Sequence, residues 1–181
     1  MPPSLLLKSL EEIFVQALDC GLSPAVAGGL AVAYWGHPRS TQDIDLGIHV
    51  GETHFIELDG LTKKLGLKRK KPQPTKLNFL TVDQWIYSPA DSFVDIEVDF
   101  LYSDSSFHRQ ALERAVTVNF SGISRPIRVL TCEDLLLFKA VSGRLIDLAD
   151  IDVLLKLQHS ALDTDYLQTW STRLGVKLKL A

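Results

Sequence analysis

Hydrophobic and polar residues alternate most cleanly over Ser92–Tyr102, SFVDIEVDFLY. Val94, Ile96, Val98 and Phe100 make one face there, and Asp95, Glu97 and Asp99 the other. A period of two predicts a strand with three carboxylates on one side. A second strand is predicted where Asp43 and Asp45 alternate with Ile44, Leu46, Ile48 and Val50. Both carboxylates then point the same way. At the start of the chain, Leu6, Leu10, Ile13 and Ala17 fall at steps of three and four, with Ser4 placed to cap and Gly21 to terminate. That spacing predicts a helix. Helices are also expected over Glu52–Leu65, over Phe107–Ala115 and from Thr131, where T-x-x-D forms a capping box. The segment VTVNFSGISRPIRVL reads as two strands joined around Ser121-Gly122. RLIDLADIDVLLKLQ and TDYLQTWSTRL read as two further helices packed on the sheet.

The length of 181 residues is ample for one domain over 1–181, with a core of about 22–130 and a C-terminal helical part of about 131–181. A formal charge of −3 offers no overall attraction to nucleic acid or membrane, so a polyanionic partner needs a local patch. Lys63–Lys76 supplies one, with seven basic residues and two prolines that make its end a loop. It reads equally as a solvated loop. Cys20 and Cys132 have neither C-x-x-C nor framework spacing, and the five histidines lack zinc-site spacing. Glu11, Glu12 and Asp19 interrupt the amino-terminal apolar run, which argues against a targeting segment. No run is long enough to span a bilayer, so a cytoplasmic location and no membrane partner are expected.

Candidate chemistry gathers in Ala25–Leu46, AVAGGLAVAYWGHPRSTQDIDL. Gly28-Gly29 follows a short apolar run and opens a predicted helix, where bare backbone N–H groups can meet a phosphate. Arg39 and Thr41 lead into the strand of Asp43 and Asp45. A Gly-Gly is commonly a tight turn, and a D-x-D a solvated face. Their combination points to a site for a polyphosphate beside a divalent cation. Asp99 supplies a third carboxylate, which suits hard Mg²⁺ or Mn²⁺ with oxygen ligands.

Taken in order, G-G-x-A, R-x-T-x-D-I-D-L, a distant V-D-F-L and E-D-L-x-x-x-K-A-x-x-x-R-x-x-D-L-x-D-I resemble the nucleotidyltransferase superfamily, with closest likeness to the AbiEii-like abortive-infection toxin enzymes. The resemblance covers about Val26 to Leu157 and implies an α+β (mixed α/β) architecture, a mixed twisted β-sheet flanked by helices. It implies Asp43, Asp45 and Asp99 as metal ligands and catalytic residues, Gly28 and Gly29 along a triphosphate, and Lys139 near the phosphates. Leu30 stands where many members carry a serine, so a hydroxyl contact would come from Thr41 or be replaced by backbone. The implied reaction moves a nucleoside monophosphate from an NTP to an acceptor hydroxyl. Arg39 and Lys139 would offset leaving-group charge, and Asp99 could take the acceptor's proton. Arg144, Asp147 and Asp150 are read as structural ion pairs. Lys139 is read as a phosphate-facing lysine whose loss would leave the fold intact. Three readings stay open: a toxin-like enzyme acting on RNA or tRNA with an antitoxin partner, a small-molecule (antibiotic-type) transferase, and a non-catalytic nucleotide-binding or regulatory protein.

Overall fold

A computed structural model describes residues 4–49, 54–77, 79–90 and 92–179. Its elements, in chain order, are α1 Leu5–Asp19, β1 Ala25–Val26, α2 Gly28–Tyr34, β2 Asp43–Gly47, α3 His54–Lys64, β3 Lys68–Arg69, β4 Thr75–Leu77, β5 Leu80–Tyr87, β6 Ile96–Tyr102, α4 Ser106–Arg114, β7 Val116–Val118, β8 Ile127–Val129, α5 Cys132–Ser142, α6 Leu145–Gln158 and α7 Thr164–Leu174. The strands form one mixed sheet in the order β3-β5-β6-β2-β1-β8-β7, with β4 beside β3 on the same edge of β5. None of the described helices is long and apolar enough to cross a membrane. Val50 and Glu52 of the predicted elements lie outside the described residues.

The two strands with alternating carboxylates are central and adjacent. β2 and β6 run parallel, with Asp43 opposite Glu97 and Asp45 opposite Asp99. Their other face is fully buried at Ile44, Leu46, Val98 and Phe100. Burial of that apolar row sets the register, because a slip of one residue in either strand would turn its two carboxylates into the core. The alternation begins at Ile96. Val94 is 61 % exposed, and Asp95 precedes the strand and accepts a bond from Ser88 Oγ at 2.6 Å.

α1 follows its predicted stripe: Ser4 accepts from Leu7 N, and Leu10, Ile13, Phe14 and Ala17 are buried. α4 closes the far end of the carboxylate face, where Leu112 sits against Gly47 and Ala111 joins Ala25, Ala27 and Leu130. α5 is the central helix of the C-terminal part. Leu135, Leu136 and Leu137 are all buried in succession, which no single apolar stripe can produce. The cause is that α6 and α7 pack on α5, rather than chiefly on the sheet as expected. Thr131 caps α5 as predicted, accepting from Asp134 N at 3.2 Å.

The basic stretch is less of a loop than its prolines suggest. β3 and β4 both pair with β5, while Pro72 and Pro74 fall between them, where no ladder bond is needed. Alternation sends Arg69 to the face opposite its neighbours. There its guanidinium stacks on Trp85 at 4.5 Å and donates two bonds, at 2.9 and 3.2 Å, to Asp83. Asp83 is 2 % exposed, and burial holds its carboxyl above the usual range despite Arg69. Arg69 is therefore structural. Arg69→Ala leaves a buried carboxylate without its cation and should lower stability by about 2–3 kcal/mol in urea denaturation. Lys68→Ala, on an exposed side chain of the same strand, should leave the midpoint unchanged.

Candidate active site

Asp45 lies on the backbone of Gly28. A Cβ at Gly28 would stand 1.7 Å from Asp45 Oδ2 and 2.4 Å from its Cγ, and Gly28 has φ +54°. Only glycine meets both conditions. The second glycine has a different neighbour: a Cβ at Gly29 would stand 2.5 Å from Thr41 Oγ1 and 3.4 Å from Arg39 Nη2. Ala27 N donates to Asp45 O at 2.9 Å, which fixes the strand–turn–helix junction against β2. The glycine pair is therefore a packing requirement of the D-x-D strand.

Thr41 Oγ1 donates to Asp43 Oδ1 at 2.5 Å. Across the sheet, Gln84 of β5 stands in register with Asp99 and donates through Nε2 to both its carboxylate oxygens, at 3.1 and 3.2 Å, and to Glu97 Oε1 at 3.1 Å. Sequence reasoning passed over Gln84. Its only signal there is a polar residue inside an apolar run, and the register of β5 on β6 gives it meaning.

Lys139 is a buried lysine held by two aspartates. It is 4 % exposed and donates to Asp147 Oδ1 at 3.0 Å, with Asp150 Oδ2 at 2.7 Å. Both aspartates are 1 % exposed. Arg39 is engaged likewise, its Nε on Asp150 at 3.0 and 3.2 Å. Arg144 Nε donates to Asp147 Oδ2 at 2.7 Å. The ion-pair role expected of Arg144, Asp147 and Asp150 thus draws in Arg39 and Lys139 as well. Of these cations, Arg144 alone keeps a largely exposed side chain, at 70 %.

A cavity of about 460 Å³ opens beside the carboxylates. Gly28, Asp45, Asp99 and Lys139 line it, together with Gln84, Ser142 and Arg144. Its other wall is apolar, built from Leu77, Phe79, Leu80, Val82, Leu135 and Phe138. Gly29, Arg39, Thr41 and Asp43 are not among its lining residues; Thr41 and Arg39 stand against Gly29, and Thr41 holds Asp43. Lys71 and Thr75 of the basic edge form part of the rim.

Electrostatics separates two kinds of acid. Burial, then Asp43 and Asp99, push the Asp45 carboxyl up to about 7, against the pull of Lys139 and Arg144. Burial likewise raises Asp99 to about 6; hydrogen bonding from Gln84 opposes the rise, and Glu97 and Asp43 add to it. Burial would raise Asp147 too, but the bonds from Arg144 and Lys139 outweigh it and hold that carboxyl at about 2. Asp45 and Asp99 therefore lack compensating charge. Hard carboxylate oxygens on one face, mutual repulsion and a glycine hollow filled by Asp45 all fit a divalent cation such as Mg²⁺. Among the described residues, no three His, Cys, Asp or Glu side chains already surround one point. The carboxylates share a face and a field, without closing on a centre.

Solved structures share this fold. An antigenic nucleotidyltransferase-like protein from Paracoccidioides brasiliensis aligns over 98 % of this chain and 96 % of its own, with TM-score 0.56 and 21 % identity. ANT(2")-Ia in complex with adenylyl-2"-tobramycin aligns over 95 % of this chain and 98 % of its own, with TM-score 0.60 and 14 % identity. The chain has the nucleotidyltransferase fold. No protein-family model matches the sequence, and no curated protein does.

Two outcomes follow from the charges. A carboxyl raised in the fold takes up protons that the unfolded chain, with carboxyls near 4, does not hold between about pH 4 and 7. Stability of the metal-free protein should rise as pH falls through that window, by up to about 2 kcal/mol between pH 8 and 5.5 for Asp45. Buried His108, which bonds Ile48 O at 2.8 Å and is held low by burial, acts in the opposite direction. Asp45→Asn should remove the Asp45 contribution alone, read as the difference between the two pH–stability curves in urea. Lys139→Ala should cost about 3 kcal/mol by stranding buried Asp147 and Asp150, so a well-folded variant of parental stability would remove Lys139 from the framework.

Proposed function

We propose that the protein is a metal-dependent nucleotidyltransferase. The observation that carries the reading is the contact of Gly28 with Asp45 at the mouth of a cavity shared by Asp99, on the fold shared with nucleotidyltransferase-like proteins. Asp43, Asp45 and Asp99 would hold Mg²⁺ or Mn²⁺, which would supply charge neutralisation at the phosphates. The acceptor hydroxyl attacks the α-phosphorus of an NTP, the α–β anhydride bond breaks, and pyrophosphate leaves. Asp99, raised toward 6 and oriented by Gln84, accepts the hydroxyl proton. Gly28 leaves room for the Asp45 carboxylate at the cavity wall, and the exposed Arg144 offsets charge on the departing pyrophosphate. Lys139 and Arg39 act through the aspartates they hold. The apolar wall of the cavity shields an organic group from water.

RNA, including a tRNA end, is the acceptor this reading favours, because Lys71 stands on the cavity rim and exposed Lys68 and Lys76 lie along the same edge. The resemblance to abortive-infection enzymes extends it to a toxin-like role restrained by an antitoxin protein. Free Cys20 and Cys132 suit a reducing cytoplasm. A small-molecule acceptor is the second reading, favoured by the similarity to ANT(2")-Ia, solved with adenylyl-2"-tobramycin.

With metal at ten times its dissociation constant, stabilisation is about 1.4 kcal/mol, or a rise in Tm of about 3–6 °C. The parent should show that rise with Mg²⁺ and an NTP, relative to EDTA. Asp45→Asn should be at least as stable without metal, lose most of the rise, and lose transfer. α-Labelled NTPs offered with total RNA and with small hydroxylated compounds identify the acceptor. A parent with neither a metal-dependent shift nor transfer of label to either would refute the proposal.

A further inference from the structure

Lys70 leaves the basic edge for the carboxylate face. It directly follows β3, and its backbone N–H still donates to Gln84 O at 2.9 Å. Strand alternation turns it away from the side of Arg69. Its ammonium donates to Glu97 Oε1 at 2.5 Å. Glu97 is in register with Asp43, two residues from Asp99, and shares the Gln84 amide with Asp99. Lys70, Glu97, Gln84 and Asp99 thus form a continuous hydrogen-bonded array, with Asp43 in register beside it. The Lys70 side chain is 41 % exposed and could extend into water, so its position reflects the pull of Glu97, reinforced by Asp99 and Asp43. Lys68 and Lys76, on the same edge, are exposed.

We propose that Lys70 is a built-in rival of the divalent cation: it neutralises Glu97 at the outer side of the carboxylate face and so weakens metal binding until a triphosphate adds its own negative charge. The inference rests on the metal reading above. Glu97 is then a counter-ion and not a fourth ligand, which separates its role from that of Asp99 on the same strand. Three uncompensated carboxylates remain for the metal. A nucleotide brings the charge that makes loading favourable, so metal and nucleotide occupy the site together.

The test is uptake of Mn²⁺ by the full chain without nucleotide, at fixed ionic strength, followed by the electron paramagnetic resonance of free Mn²⁺. At the dielectric of bulk water, a unit charge about 7 Å from a divalent ion changes its affinity by about five- to tenfold. Lys70→Met should bind Mn²⁺ tighter by that factor. Lys70→Arg should match the parent, and Lys76→Met should stay within about twofold of it. Lys70→Gln, which keeps a donor toward Glu97, should tighten binding like Lys70→Met and covers the case in which the methionine variant misfolds by circular dichroism. Equal affinity in the parent and both neutral variants overturns the role of Lys70 alone. Equal tightening by Lys76→Met overturns it as well, since any lost charge would then suffice. No Mn²⁺ uptake by any folded form, with or without ATP, overturns this proposal and the metal reading together.

Discussion

Lys139 brings one ammonium among side chains that are almost wholly buried, between two aspartates each 1 % exposed. The arrangement holds because the charges alternate along a chain: Arg39 on Asp150, Asp150 on Lys139, Lys139 on Asp147, Asp147 on Arg144. Taking such groups out of water is costly, and removing one partner exposes that cost. The chain also joins elements that have no sheet pairing in common. Arg39 precedes β2, Lys139 lies on α5, and Asp147 and Asp150 lie on α6. The segment that places Thr41 against Gly29 is thereby fastened to the C-terminal helices, while Gly28 meets Asp45.

Two sets of acids meet opposite treatment within this small region. Asp147 is supplied with fixed cations and stays ionised far below neutrality. Burial, and after it the field of neighbouring carboxylates, pushes the Asp45 and Asp99 carboxyls up toward neutrality. A protein that needed only stability would pair these acids too. Leaving them unpaired costs stability, and under the function proposed above that cost would keep a place for a divalent cation. The basic edge is divided in the same spirit. Arg69 is spent on Asp83 and Trp85, Lys70 turns to Glu97, and Lys71 remains at the cavity rim.

Local pattern was sufficient wherever an element has one wet face and one dry face. The stripe of α1, the carboxylate alternation of β2 and β6, the hairpin of β7 and β8 and the Thr131 cap of α5 were all legible on that ground. The glycine pair and the D-x-D strand were also legible as partners. The sequence thus determined which residues could supply the chemistry and which faces they would occupy. Tertiary structure decided the rest. α5 carries three successive buried leucines because neighbours cover it on several sides, so no period marks it. β3 and β4 exist because β5 offers an edge to pair with. The partners of Lys139 and Arg39 came from folding alone, since Arg39 and Asp150 lie 111 residues apart. Sequence periodicity reports how a segment divides water from core; which distant charge will neutralise a buried one is settled only when the packed chain has removed the water that would otherwise serve.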